Sequence, residues 1–293
     1  MPELPEVETV RRGLSELING RTVIAETHDT AKGFPNAAEE VSAFLLGAHV
    51  TSVRRRAKVL MIDLSTAYTL VIHLKMTGQL VFVASDEQRF GAGHPNDSLI
   101  NALPDSSTRV TLIFADGSKL FFNDQRKFGW MRLMPTVSIA DLPFMQKVGP
   151  EPLEDDFTAQ QFADRFTRRS RTGIKAALLD QSVIAGVGNI YADESLWGAK
   201  IHPQRLVGSI TPAEFSTLYD DVRAVMNLAI EKGGSTNKNY VDAQGKRGSY
   251  MDFARVFRRE GLPCPRCGAE IIKFKAAGRG THICPVCQVL YDE

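Results

Sequence analysis

The sequence predicts an α+β multidomain protein: an N-terminal helix and a β-sandwich, then a helical domain, then a small zinc-bound β-hairpin. Three observations support this class. Short strand-like segments crowd into residues 21–133, the apolar spacing becomes helical after the linker 148–157, and all four cysteines lie in the last 30 residues. A chain of 293 residues also exceeds the usual length of one domain. We therefore expect domains at 1–147, 148–250 and 251–293.

The first domain begins with an amphipathic helix and continues as strands. Apolar residues recur at helical spacing up to Gly20, which is placed as a C-terminal stop: Leu4, Val7, Val10, Leu14 and Leu17. Alternating or continuously apolar runs then predict eight strands: TVIAETH, HVTSV, VLMIDL, YTLVIHL, QLVFV, RVTLIF, KLFFND and WMRLM. Residues 85–107 are polar, rich in turn formers and too long for a tidy hairpin, so we expect either a mobile excursion or a segment whose role the sequence does not indicate.

The second domain is predicted to be helical. Four segments have apolar residues at helical spacing: 158–166, 173–181, 189–199 and 212–234. The last begins with Thr211 as N-cap, Pro212 at the first helical position and Glu214 completing a capping box. Gly233 is expected to stop it.

Composition and charge narrow the class of protein. The chain is 43% hydrophobic and 24% charged, as in ordinary globular proteins. It has no apolar run of the roughly 18 residues that span a bilayer and no signal-peptide pattern, so we expect a cytoplasmic protein without a membrane partner.

The net charge is only +1, but basic residues cluster in RRRAK (54–58), RFTRRSRTGIK (165–175) and RVFRR (255–259). Such clusters are often solvated surfaces, and three of them in one chain favour nucleic acid modestly.

The cysteines predict one structural zinc ion. They form CPRC and CPVC, separated by 16 residues, which suits a tetrahedral site made by Cys264, Cys267, Cys284 and Cys287. Disulfides are the alternative, which a cytoplasmic chain disfavours. The residues between the two pairs resemble two strands, so Arg279 would lie at the tip of a hairpin. Four thiolates leave no open position for water, which argues against a catalytic metal.

The N-terminus carries an unusual set of groups. Removal of Met1 would leave Pro2 with a free secondary amine, next to Glu3 and one helical turn before Glu6. An N-terminal amine has a reference pKa near 8, so part of it is an uncharged nucleophile at neutral pH. Glu3 could then move protons and Glu6 could orient the site. The same residues also suit a plain helix start, in which proline and acids are favoured.

Six segments together resemble the bacterial formamidopyrimidine-DNA glycosylases. In order they are MPELPEVETVRRGL, HLKMTG, NDQRKFG, GVGNIYADE, GGST and GRGTHICPVCQ. That family belongs to the helix-two-turn-helix glycosylases, which include endonuclease VIII, and PELPE is more similar to the formamidopyrimidine branch. The resemblance implies that the helical domain is of the helix-two-turn-helix type.

The resemblance also implies catalytic roles. Pro2 is similar to the nucleophile that attacks C1′ of the damaged nucleotide, Glu3 to the proton donor and Glu6 to a supporting acid. Lys58 matches a lysine that holds phosphate at the active site.

Further residues match the family's DNA contacts. Met76, Arg126 and Phe128 resemble the trio that fills the gap left by a flipped nucleotide, with Arg126 facing the orphaned cytosine. Asn189 and Arg279 resemble phosphate contacts. The remaining expected contacts are His73, Lys175, Thr236 and Tyr240. Residues 233–250 resemble the loop over the flipped base, although Asn237-Lys238, GKRG and Lys75 depart from the usual pattern, which bears on lesion preference.

The implied function is base excision repair by a monomer acting on double-stranded DNA. The enzyme would be a bifunctional glycosylase and AP lyase for oxidised purines, chiefly 8-oxoguanine opposite cytosine and formamidopyrimidines. One alternative is an endonuclease VIII-like glycosylase for oxidised pyrimidines. A second is a zinc-dependent protein that binds damaged DNA without cutting it, and a third is an enzyme whose nucleophile is Lys58.

Overall fold

The computed structural model describes residues 2–94, 97–235 and 249–290, which fall into two units. The first contains the described residues of Met1–Gln146 and Lys232–Ser249, and the second those of Lys147–Glu231 and Tyr250–Glu293. The cysteine-bearing hairpin belongs to the second unit, because it packs against a helix of that unit and shares a small core with it. The division into three domains stays a prediction.

The first unit contains two main helices and nine strands among its described residues. The helices are α1 (Leu4–Ile18) and α2 (Ala38–Phe44), and a short helix, α3 (Pro143–Lys147), lies at the boundary with the second unit. The strands are β1 (Val23–His28), β2 (Val50–Arg56), β3 (Val59–Leu64), β4 (Tyr68–His73), β5 (Gly78–Val83), β6 (Arg89–Gly93), β7 (Thr108–Phe114), β8 (Lys119–Asp124) and β9 (Trp130–Pro135).

These strands form two antiparallel sheets. One has the order β1-β7-β8-β5-β6 and the other the order β2-β3-β4-β9. Apolar residues of both sheets and of α1 make one continuous core. The predicted β-sandwich with an N-terminal helix is confirmed.

Helix α1 covers the side of the sandwich where β2 and β6 form the sheet edges. Its apolar stripe consists of side chains that are fully buried: Leu4, Val7, Val10, Leu14 and Ile18. Burying such a stripe contributes roughly 1.5–3 kcal/mol per large side chain. The helix start is therefore held firmly against the sheets.

Residues 85–107 contain more regular structure than predicted. Arg89–Gly93 forms the edge strand β6, paired with β5 from Gln79↔Gly93 to Val83↔Arg89. A 3₁₀ turn follows at Asp97–Leu99, where Leu99 packs on Val81 and Phe121. The segment extends one sheet and covers part of its outer face.

The chain crosses between the two sheets at one common end of the sandwich. Strand β4 leads into β5 through residues 74–77, and β8 leads into β9 through residues 125–129. The strand ends are paired, since His73 lies opposite Trp130 and Gly78 opposite Asp124. We call these two crossings the paired turns; their side chains are brought together by the topology.

The second unit is helical, as predicted, with the hairpin attached. Its helices are α4 (Ala159–Asp164), α5 (Ile174–Leu179), α6 (Asn189–Gly198) and α7 (Pro212–Glu231), and its hairpin strands are β10 (Ile272–Ala276) and β11 (Arg279–Ile283). The predicted capping box at α7 is confirmed: Glu214 N donates to Thr211 Oγ1 at 3.2 Å, and Thr211 N donates to Glu214 Oε2 at 2.8 Å. Among the described residues, no helix combines the length and apolar character needed to cross a bilayer.

Candidate active site and nucleic-acid interface

The start of α1 buries two carboxylates beside Pro2. Glu3 is the N-cap and Glu6 the third helical residue, and each is only 3% exposed. They form a reciprocal capping box, in which Glu3 N donates to Glu6 Oε2 at 2.7 Å and the Glu3 carboxylate accepts from the Glu6 backbone. Pro2 is also buried. The helix start therefore fixes a proline and two acids in one small region.

Glu6 also binds a segment distant in sequence. Its Oε1 accepts from Ser235 N at 2.7 Å. The preceding Gly234 has φ +84°, and a β-carbon there would lie 3.1 Å from the Glu6 side chain, so both conformation and space favour glycine. Glu6 thus joins the N-terminus to the GGS segment that the resemblance linked to the lesion loop.

Lys58 lies in the tight turn between β2 and β3. Ala57 in that turn has φ +51°, and Lys58 itself is 6% exposed. Arg55 Nη1 donates to Ala57 O at 3.3 Å, and Arg55 Nε donates to Glu8 Oε2 at 3.0 Å. Glu8 therefore connects α1 to the turn that carries Lys58.

Glu8 is held as a carboxylate by three arginines. Burial alone would raise its pKa, but hydrogen bonds from Arg11, Arg12 and Arg55 outweigh burial and lower the pKa to about 2. Glu8 is not among the residues predicted from the sequence, because its spacing within α1 suggests only local i,i+3 and i,i+4 pairs with Arg11 and Arg12. The contact with Arg55 depends on the tertiary fold.

His73 lies at the end of β4, opposite Val59 of the Lys58 turn. Burial first, then the positive charges of Lys75 and Lys58, lower the pKa of His73 to about 3. Its Nδ1 accepts from Lys75 N at 3.0 Å, which places the proton of the neutral ring on Nε2. A neutral donor of this kind can hydrogen-bond to phosphate oxygen over the physiological pH range.

The paired turns present an exposed cluster of Met76, Arg126 and Phe128. Arg126 Nη1 lies 3.1 Å from Met76 Sδ, and the guanidinium stacks 4.9 Å from the centre of the Phe128 ring. Met76 is 37% exposed and Phe128 46%. Such exposure of large apolar side chains beside a cation is typical of a surface that contacts a partner. The structure therefore brings together the three residues that the resemblance grouped.

In the second unit, the start of α6 contacts the hairpin. Asn189 Nδ2 donates to Gly280 O at 3.0 Å, and its buried Oδ1 has no hydrogen-bond partner within the described part of the chain. Arg279, next to Gly280, is exposed. The hairpin arginine and the backbone N–H groups at a helix start thus lie on neighbouring elements.

Lys175 occupies a different environment from the other expected DNA contacts. It is fully buried, with Nζ 2.6 Å from Asp193 Oδ1 and 2.8 Å from Thr281 Oγ1. Its ammonium therefore ties α5 to α6 and β11 and has no surface with which to meet a phosphate. The structure gives Lys175 the geometry of a positioning residue. Thr236 and Tyr240 lie outside the described residues.

The four cysteines form a site that fits one zinc ion. Their sulfur atoms all lie within 4.8 Å of one another, with Cys264–Cys287 at 4.0 Å and Cys267–Cys284 at 3.4 Å. Tetrahedral Zn–S bonds of about 2.3 Å require sulfur separations of about 3.8 Å. The thiols are free, and a disulfide would bring two sulfurs to about 2 Å. The predicted structural zinc site is confirmed in its geometry.

The environments of the thiols differ. Against the effect of burial, the backbone N–H groups of Arg266 and Cys267 lower the pKa of Cys264 to about 6, whereas burial raises the pKa of Cys284 to about 12. The module is anchored on Trp197, whose ring faces Arg266 at 3.9 Å and whose side chain packs with Cys264 and Cys284. Glu194 accepts from the backbone N–H groups of Val256 and Phe257 just before the module.

A β-sandwich with buried acids beside an N-terminal proline, and a helical unit with a four-cysteine hairpin, define the class of helix-two-turn-helix DNA glycosylases. Three family profiles match the chain: the formamidopyrimidine-DNA glycosylase N-terminal domain at residues 1–131, its H2TH domain at 148–240, and the zinc finger found in FPG and IleRS at 261–289.

Full-length relatives agree with these profiles. The formamidopyrimidine-DNA glycosylase of Herpetosiphon aurantiacus is 43% identical over 293 residues, covering 98% of this chain and 100% of the relative. A variant of the Lactococcus lactis FPG, solved with Fapy-dG-containing DNA, has a TM-score of 0.85 at 35% identity, covering 99% of this chain and 100% of that one. The wild-type L. lactis protein with oxidised-pyrimidine DNA has a TM-score of 0.84 at 35% identity, with the same coverage. This chain belongs to the formamidopyrimidine-DNA glycosylase family.

Proposed function

We propose that this DNA glycosylase is bifunctional: it removes oxidised purines from double-stranded DNA, chiefly 8-oxoguanine opposite cytosine and formamidopyrimidines, and then cleaves the strand as an AP lyase. The observation that carries the proposal is the helix start, where Pro2 lies beside two carboxylates that are each 3% exposed. Buried carboxylates are costly unless they have a task or partners. A protein that only bound DNA would need neither acid at this place.

The proposed nucleophile is the nitrogen of Pro2 after removal of Met1. The amine attacks C1′ of the damaged nucleotide, and the bond from C1′ to the base breaks. The base leaves with the bonding electron pair and takes up the equivalent of the proton that the attacking Pro2 nitrogen loses. Glu3 supplies a proton to the deoxyribose ring oxygen, so that the ring opens and a C1′ iminium ion forms. Loss of a C2′ proton then expels the 3′ phosphate, and a second elimination expels the 5′ phosphate. Both breaks are eliminations, which require no water as nucleophile.

The supporting residues follow from the geometry around Glu3. Glu6 accepts from the backbone N–H groups of Glu3 and Ser235 at 2.7 Å each, which holds the proton donor and the GGS segment at fixed positions. Lys58 offers an ammonium for a phosphate of the damaged strand, and neutral His73 offers a second donor nearby. Both lie at the end of the sandwich where β3 begins and β4 ends.

The exposed cluster of Met76, Arg126 and Phe128 is the proposed wedge. Extrusion of a nucleotide leaves a gap and costs a few kcal/mol of stacking and pairing. An apolar side chain inserted into the gap offsets part of that cost. Arg126, stacked on Phe128 and in contact with Met76, would hydrogen-bond to the orphaned cytosine.

Phosphate binding by the second unit is proposed at Asn189 and Arg279. Backbone N–H groups at the start of a helix favour phosphate, and Arg279 supplies a charged fork for a second one. Buried Lys175 acts on this surface only by holding β11 in place. We further propose that Thr236 and Tyr240 contact the extruded base and that the enzyme works as a monomer.

An oxidised-pyrimidine glycosylase is the second candidate. The L. lactis relative that was solved with oxidised-pyrimidine DNA is the observation that favours testing it. Cleavage of duplexes carrying 8-oxoguanine and thymine glycol, compared at equal enzyme concentration, distinguishes the two. Faster cleavage of the thymine glycol duplex would overturn the purine assignment.

The first experiment is borohydride trapping on a duplex with 8-oxoguanine opposite cytosine, followed by mass spectrometry of the cross-linked peptide. We expect the sugar adduct on a peptide that begins with Pro2. An adduct on Lys58 would assign the nucleophile to that lysine, and binding without any adduct would favour recognition without cleavage. Glu3→Gln should abolish or strongly slow trapping, Pro2→Ala should reduce it because an N-terminal amine remains, and exposed Glu39→Gln should leave it unchanged.

A further inference from the structure

One buried carboxylate joins the paired turns that carry the proposed wedge. Asp124, the last residue of β8, is 0% exposed. Its Oδ2 accepts from Phe128 N at 2.8 Å and from Gly129 N at 2.6 Å. Its Oδ1 accepts from Arg126 N at 3.2 Å and from the Thr77 hydroxyl. Four donors from two turns therefore converge on a single side chain.

Thr77 completes the connection between the turns. Its hydroxyl donates to Asp124 and at the same time accepts from Arg126 N at 3.1 Å. Thr77 is 8% exposed and directly follows Met76, so it faces the interior while Met76 remains exposed. Met76 is therefore adjacent to Thr77, whose hydroxyl donates to Asp124. Arg126 and Phe128 each donate to Asp124 through their own backbone N–H group.

The base of the paired turns is held by His94 and Ser107 of the segment 85–107 and by Arg109 just after it. His94 N donates to Gly78 O at 3.0 Å, at the end of the first turn. Asp124 N donates to Ser107 O at 2.7 Å, and Arg109 Nε donates to Asp124 O at 2.8 Å. The backbone that carries Asp124 is thus fixed independently of its side chain.

We propose that Asp124, acting with Thr77, is a positioning residue that presents Met76, Arg126 and Phe128 as one preorganised wedge and so sets selectivity for the base opposite the lesion. The inference rests on the proposed wedge. A carboxylate accepts hydrogen bonds only, which matches four converging donors, whereas an asparagine would turn an NH₂ group towards N–H groups. With the turns fixed in advance, insertion does not have to order them. Because Arg126 is then held in one position, it can hydrogen-bond only to an opposing base whose edge fits that position.

The test compares two substitutions at Thr77 that differ in the hydroxyl. Thr77→Val keeps the shape and removes the hydroxyl, Thr77→Ser keeps the hydroxyl, and Asp124→Asn changes the acceptor. Thr111→Val on β7 makes the same chemical change away from the paired turns. Single-turnover cleavage of 8-oxoguanine opposite cytosine and opposite adenine gives the selectivity ratio. Borohydride trapping on a single-stranded abasic oligonucleotide requires the nucleophile and no wedge.

We expect Thr77→Val and Asp124→Asn to lower the cytosine-to-adenine ratio by about tenfold, as for the loss of one hydrogen bond to a charged group. Thr77→Ser and Thr111→Val should retain the ratio, and all four variants should retain trapping on the single strand. Arg126→Ala tests the wedge assignment separately from the positioning role of Asp124 and Thr77. If Arg126→Ala leaves the ratio unchanged, the wedge assignment itself fails. If Arg126→Ala abolishes selectivity while Thr77→Val keeps it, the wedge stands and the positioning role of Asp124 and Thr77 is overturned.

Discussion

At the scale of single residues, the candidate active site depends on buried carboxylates that accept several hydrogen bonds. Glu6 and Glu8 lie on the same helix and have different partners: Glu6 binds backbone N–H groups, and Glu8 binds three guanidinium groups. The first arrangement orients the proposed proton donor. The second fastens the turn that carries Lys58 to helix α1, which begins two residues after Pro2.

The role of Glu8 can be tested by Glu8→Gln. The amide cannot neutralise Arg55, whose side chain is only 10% exposed, so we expect a loss of about 1–3 kcal/mol in the free energy of unfolding at pH 7. Because the folded-state pKa of Glu8 is lowered from 4.5 to about 2, its contribution is complete above pH 4.5 and is lost as the pH falls from 4.5 towards 2. Urea unfolding of both proteins at pH 7 and pH 3 measures this. Glu39→Gln, at an exposed position, serves as control; an equal gap between wild type and Glu8→Gln at both pH values would contradict the assignment.

At the scale of elements, the sequence predicts the helices and strands whose own residue pattern is strong. It misses those that form only by pairing or packing with neighbouring elements. Eight strands and all four helices of the second unit are found near their predicted positions. Strand β6 is missed because RFGAG has two glycines and no β-branched residue, so its propensity is low. It becomes a strand by pairing with β5. Helix α2 was likewise not predicted, since it is only seven residues long and buries only Val41.

The same limit applies to the site. Motif spacing selects residues that face a ligand, such as Met76, Arg126 and the four cysteines. It does not select Asp124 or Glu8, whose partners at Thr77 and Arg55 lie 47 residues away along the chain. Their importance depends on strand order and helix placement, which spacing does not encode.

The fit between β6 and α1 gives a prediction at this scale. Phe90 is 2% exposed in the main core, and a β-carbon at Gly13 of α1 would overlap its ring. We expect Phe90→Ala to cost about 3–5 kcal/mol and Gly13→Ala to destabilise the wild type through overpacking. In the Phe90→Ala background, Gly13→Ala should instead stabilise, because it fills space and improves helix propensity by up to about 1 kcal/mol. A double-mutant cycle by urea unfolding measures the coupling; additive effects would show that β6 does not pack on α1 in this way.

At the scale of the whole molecule, charge is distributed unevenly between the two parts of the chain. Residues 1–162 carry 16 Lys and Arg against 20 Asp and Glu, whereas residues 163–293 carry 19 against 14. The proposed catalytic acids thus belong to the acidic part, and the proposed phosphate contacts Asn189 and Arg279 belong to the basic part. Affinity and chemistry should therefore respond separately to substitution.

Salt dependence tests this separation. Each phosphate contact contributes about 0.9 to the slope of log affinity against log salt. Arg279→Ala should weaken binding to a duplex with an abasic-site analogue and reduce that slope by about 1, whereas Arg279→Lys should keep most of the slope. Lys119→Ala is the control, since Lys119 is exposed at the end of β8 remote from Asp124. A slope that is equal in wild type and Arg279→Ala would exclude a phosphate contact by this residue.

Zinc removal should affect the two units differently, and the two tryptophans report on one unit each. Trp197 packs against Cys264 and Cys284, whereas Trp130 is in the first unit opposite His73. Binding of a structural zinc contributes on the order of 10 kcal/mol to modules of this size. A strong chelator should therefore change the fluorescence of Trp197, which is measured alone in the Trp130→Phe variant. The chelator should leave the fluorescence of Trp130 unchanged, which is measured alone in the Trp197→Phe variant. DNA affinity should fall at least as far as in Arg279→Ala, since the hairpin that carries Arg279 loses its metal, and added zinc should restore it. Undiminished affinity in protein shown by metal analysis to be zinc-free would mean that the hairpin keeps its DNA-binding form through its contacts with the helices of the second unit, without the metal.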